Sequence, residues 1–66
     1  MEMIWVASSA ISAVGYDHET QQMQIKFVQG RTYTFCGVPQ HIFDGLLSAG
    51  SKGTYYDRHI RDRCHC

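Results

Sequence analysis

Between Gln22 and Val28 polar and apolar residues alternate without a slip, with Met23, Ile25 and Phe27 on one side and Gln22, Gln24 and Lys26 on the other. A period of two is the mark of a strand with one buried and one wet face. Gln29-Gly30 follows as a tight turn in which Gly30 is free to take positive φ. The chain then returns over Arg31 to Cys36, with Tyr33 and Phe35 opposite Thr32 and Thr34. A hairpin with one apolar face has to be covered, so the rest of the chain must supply a second layer.

Upstream, Ile11 to Asp17 carries Ile11, Val14 and Tyr16. This predicts a strand whose alternation slips once, at a bulge near Gly15. Asp17-His18-Glu19-Thr20 predicts the turn into the hairpin. Downstream, Pro39 presets the first turn of a helix, on which Ile42, Phe43, Leu46 and Leu47 recur at helical spacing. Gly50 is expected as its left-handed cap. A second helix is predicted to open at Thr54, with Asp57 as the acidic half of a capping box. Tyr56 and Ile60, four apart, would share its buried face, and Tyr55, Arg58 and Arg61 would point elsewhere. The expected fold is therefore α+β: a three-stranded antiparallel meander followed by two short helices packed on one face. It would form a single domain over 1–66, with a core over about 6–61 and 62–66 as a frayed tail. Tyr16, Phe27, Tyr33 and Phe35 are expected in the core rather than as a stacking platform for bases, because so small a domain must bury one face of its only sheet.

The 66 residues set a limit on stability, since a domain of this length buries only about 60% of its unfolded surface. Net charge is zero, which removes bulk electrostatics as a way of holding nucleic acid. Up to Gly50, Lys26 and Arg31 face Glu2, Asp17, Glu19 and Asp44, a balance of −2. From Ser51 onward Lys52, Arg58, Arg61 and Arg63 face Asp57 and Asp62, a balance of +2. The start, Met-Glu-Met-Ile-Trp-Val, has no basic segment and too short an apolar run for a secretory signal or membrane span. A cytoplasmic, reducing location is expected, with Cys36, Cys64 and Cys66 as free thiols.

Catalysis finds no support. His18, His41, His59 and His65 are dispersed, and none has a Ser, Cys or carboxylate placed as a nucleophile partner. Cys64-His65-Cys66 is too cramped for a usual zinc spacing, so neither metal nor cofactor is expected. The candidate partner surface is Lys52, Gly53, Tyr55, Arg58, Arg61 and Arg63, an aromatic among cations beside a helix start. Asp57 and Asp62 dilute it, and Asp57–Arg61 has the spacing of an ordinary i,i+4 ion pair. Trp5 stands before the first predicted strand, and an exposed tryptophan there would indicate a protein contact.

Three stretches together resemble the KTSC domain, a family named for its occurrence at the C-terminus of some lysyl-tRNA synthetases and also found as small stand-alone bacterial or phage proteins. They are Ser8-Ser9-x-Ile11-x-x-Val14-Gly15-Tyr16-Asp17, then Met23-x-Ile25-x-Phe27-x-x-Gly30-x-x-Tyr33-x-Phe35-x-x-Val38-Pro39, then Ala49-x-Ser51-x-Gly53-x-Tyr55-Tyr56-x-x-x-Ile60-Arg61. The resemblance runs from about Val6 to Arg61. It implies RNA binding only by association with a synthetase. The central Tyr-x-Tyr of the family reads Tyr33-Thr34-Phe35 here, and Asp57 stands where the family tends to have Asn. The expected function is a small non-enzymatic protein-interaction module, self-associating or docking on a larger protein. The alternative is an RNA-binding accessory module using the basic C-terminal helix.

Overall fold

The computed structural model describes residues 2–61. Its order is β1 (Met3–Trp5), β2 (Ile11–Asp17), β3 (Gln22–Phe27), β4 (Thr32–Phe35), α1 (Gln40–Ser48) and α2 (Lys52–His59). The strands form one antiparallel sheet in sequence order, β1-β2-β3-β4. The class is α+β, as expected, but the sheet has four strands rather than three. Met-Ile-Trp is too short and too uniformly apolar to display a period of two, so nothing in the sequence pattern announces it.

Register fixes the two faces. Ile4 pairs with Val14, Val14 with Ile25 and Ile25 with Tyr33, so these side chains share the inner face with Tyr16, Met23 and Phe35. Ile11 pairs with Phe27, but Ala13 pairs with Lys26, so the bulge falls at Ser12 and not near Gly15. The reason is packing: Ile11 and Val14 both point inward at odd separation, and the extra residue must lie between them. From Val14 to Tyr16 the period is already regular.

The inner face and the helices make the core. Ile11, Val14, Met23, Ile25, Val38, Leu46 and Ile60 are fully buried, with Phe35 and Phe43 nearly so. The Tyr16 ring stacks on Phe43 of α1 at 4.9 Å, while Tyr56 of α2 meets Phe27 and Phe35 edge-on at 5.2 and 5.8 Å. Three of the four expected core aromatics are thus covered. Tyr33 is the exception: it is exposed at the rim and touches only the edge of this group through Phe27. It sits on the outermost strand, two residues before Phe35, whose ring meets Tyr56 of α2.

Several local devices differ from expectation. Gly30 does take positive φ in the hairpin, at 101°, with its N–H donating to the Phe27 carbonyl. Gly50 is not left-handed; α1 leaves through Ala49 in extended geometry, and the other left-handed glycine is Gly37. That exit places α2 two residues earlier than Thr54, at Lys52 after Ser51, whose hydroxyl donates to the Thr54 hydroxyl rather than capping a backbone N–H. Tyr16 donates its hydroxyl to the Val38 carbonyl at 2.6 Å, tying β2 to the approach to α1. Cys36, expected as a free thiol, is disulfide-bonded.

Candidate functional site

The described members of the basic cluster read from the sequence lie along α2 and just beyond its end. Arg58 and Arg61 are exposed, and Arg61 lies 3.6 Å from Asp57 in the expected i,i+4 pair. Both partners are well solvated, so this pair contributes little to stability while halving the local positive charge. Tyr55 does not accompany them. Its ring packs against α1 at Gly45, where any Cβ would collide with the phenol, and against His59 at 4.4 Å. It therefore serves the helix–helix contact. Lys52 is half-buried and donates its ammonium to the Ala49 carbonyl at 3.0 Å. Arg63 lies outside the described residues, as does Cys64-His65-Cys66.

Lys52 and Gly53 instead border a cleft of about 540 Å³, whose walls include Ser8, Ser9, Ser51 and Tyr56. Two motifs far apart in sequence, Ser8-Ser9 and Ser51 to Tyr56, thus meet at one seam. Much of its polar lining is already paired within the chain. The Ser8 hydroxyl accepts from the N–H groups of Ala10 and Ile11, Ser51 bonds Thr54, and Lys52 bonds Ala49. Gly53 suits the close approach, because a Cβ there would stand 3.2 Å from that of Ala10, which would have to give by a few tenths of an ångström. These contacts describe a fitted junction between the 7–10 loop and α2. Among the described residues no group of three His, Cys, Asp or Glu is gathered as a metal site.

The surface that stands out is the free side of β1, which the sequence singled out only through Trp5. Trp5 is 72% exposed and Ile4 46% exposed. They point to opposite faces of the sheet, so the strand presents apolar surface on both sides. Small residues make the outer side possible: Ala13 lies between Trp5 and Lys26 in the register, and the Lys26 ammonium reaches over it to 5.6 Å from the indole centroid. This cation–π contact draws the ring over the outer face of the sheet, opposite the core. The Val6 N–H donates to the Ser12 carbonyl, so by alternation Ile4 also bonds toward β2. The N–H and C=O groups of Met3 and Trp5 face outward. This edge strand has no proline, charge or bulge between Met3 and Trp5, and its shortness, three residues, is what limits pairing along it.

A model of the KTSC domain matches residues 7–63. A protein of Tsukamurella paurometabola is 41% identical over 58 residues, covering 88% of this chain and 87% of its own. An uncharacterized protein of Stutzerimonas stutzeri is 31% identical over 58 residues, covering 88% of this chain and 82% of its own. The crystal structure of a KTSC domain protein from Yersinia pestis superposes with a TM-score of 0.89 at 36% identity, covering 96% of this chain and 89% of the other.

Proposed function

The chain belongs to the KTSC domain family, and from that premise we propose that it is a small non-enzymatic protein-interaction module that binds through the open edge of β1. One observation carries this reading: Trp5, the most exposed large apolar side chain among the described residues, stands beside outward-facing backbone groups on a short edge strand. Tryptophan buried at the centre of an interface gives large contact area for few frozen torsions, and a strand edge adds main-chain hydrogen bonds. Zero net charge is compatible with a protein partner and gives no long-range pull on a polyanion.

The RNA reading is weaker here. Tyr55 packs against α1, Arg61 is paired with Asp57, and Lys52 is turned to a backbone carbonyl, so three members of the candidate surface have contacts within the chain.

The test is a photo-reactive amino acid placed at position 5, with a second chain carrying it at Arg58. After irradiation in the native host, position 5 is expected to form an adduct with protein and position 58 to form none with RNA. RNA recovered from position 58, with no protein adduct at position 5, would overturn the proposal.

A further inference from the structure

We infer that the partner at β1 is a second copy of this chain, joined by antiparallel pairing of β1 with its equivalent about a two-fold axis through Ile4. This inference rests on the interaction reading above and specifies its occupant.

Backbone direction comes first. The outward groups of β1 belong to Met3 and Trp5, two residues apart, with Ile4 bonded inward between them. With Ile4 on the axis, Met3 of one copy lies opposite Trp5 of the other, and the reverse pair follows by symmetry. Each pair exchanges two N–H···O=C bonds, so all four outward groups on each copy are satisfied. Ile4 then faces its own equivalent as the closely spaced, non-hydrogen-bonded pair.

The side chains agree with that register on both faces. On the outer face each Trp5 ring meets a Met3 side chain, a contact favoured between sulfur and an aromatic ring. On the inner face the two Ile4 side chains cover each other, removing the apolar surface that neither helix reaches. Charge does not oppose the pairing. The strand itself is neutral, and the two Glu2 carboxylates fall at opposite ends, separated by four residue steps or about 13 Å, beyond the screening length of about 8 Å at physiological salt.

The assembly also closes. Were both sheet edges open, pairing could run on into a fibre. The far edge is chemically different: β4 carries Thr32, Tyr33 and Thr34 where β1 carries Met3, Ile4 and Trp5, and Cys36 beyond its end is in a disulfide. Pairing of β1 with its own equivalent about a two-fold axis is isologous and stops at two copies. With three residues a side, the interface falls in the small, transient class, below about 1,200 Å² in total.

Sedimentation of the intact chain from about 10 μM to about 1 mM brackets that class. Wild type is expected to pass from monomer to dimer across the range. Ile4→Lys and Ile4→Glu place like charges face to face on the axis, so each alone is expected to weaken the dimer by roughly tenfold or more. An equal mixture of the two recovers it as a heterodimer, because only a residue that meets its own equivalent can be rescued in this way. Met3→Pro deletes one outward donor and leaves the bonds of Ile4 and Val6 to β2 in place, so it is expected to abolish the dimer with the near-ultraviolet circular dichroism of the fold retained. A chain monomeric at every concentration, or a dimer indifferent to Ile4→Lys, overturns the inference. A protein adduct at position 5 with a different partner would leave the interaction reading standing and remove only the second copy.

Discussion

Tyr16 shows how much one polar atom does in so small a core. Its hydroxyl bonds the carbonyl of buried Val38 at 2.6 Å. Burial raises its pKa above the ordinary tyrosine value, and the carboxylates of Asp44 and Asp17 push the same way. A folded-state pKa above the unfolded one contributes stability that is complete below about pH 10 and fades as pH rises through the folded value. Tyr16→Phe removes the donor, leaving a buried carbonyl unpaired, and should lower stability by about 1–2 kcal/mol at neutral pH. Denaturant titrations at pH 7 and pH 11 check both statements: the gap between wild type and variant should narrow at the higher pH. Asp17 behaves in the opposite sense. The Glu19 N–H bond holds its carboxyl below the usual range, so whatever it contributes is present above that range and lost in acid.

At this same scale the sequence was read correctly where a side chain serves its own element and wrongly where it serves another. Met23, Ile25 and Phe35 follow from alternation alone. Tyr55 does not, because its role is set by Gly45 on a different helix, and no spacing along α2 encodes that meeting. Cys36 likewise could not be assigned from an odd cysteine count. Its disulfide removes the free-thiol argument for a reducing compartment.

Between elements, the α1–α2 contact rests on that glycine. A methyl at position 45 would sit 2.8 Å from the ring carbon bearing the Tyr55 hydroxyl, and a phenol is too rigid to bend aside. Gly45→Ala gains up to about 1 kcal/mol in helix propensity, but overpacking of this kind costs about 1–3 kcal/mol. We expect net destabilisation in wild type and neutrality or a gain in a Tyr55→Ala background. Thermal melts of the four chains give the coupling directly. The elements themselves were legible to different degrees. The β3–β4 hairpin, with its clean period and Gly30, was plain. The start of α2 was not, because Lys-Gly-Thr carries no apolar repeat. β1 was invisible as a strand, and with it went the location of the candidate site. Trp5 was the single residue that could have led there.

For the molecule as a whole, 66 residues imply a folding stability of about 3–10 kcal/mol. Leu46 is fully buried in the last turn of α1, so Leu46→Ala, at about 2–5 kcal/mol, takes away roughly half of that margin. Urea unfolding at 25 °C should show the midpoint of that variant shifted well below wild type, whereas Arg58→Ala, an exposed change, should leave the curve where it was.

Because each strand lies beside its neighbour in the chain, folding never has to close a long loop before a strand pair forms. The ribbon can zip from the central hairpin outward, and by the same path in reverse its first three-residue strand can peel away while the remainder stays shut. The piece most free to detach is therefore the one whose outer side invites company. A companion strand would slow its fraying, and amide exchange at Ile4 and Val6 would register that company before any change in shape did.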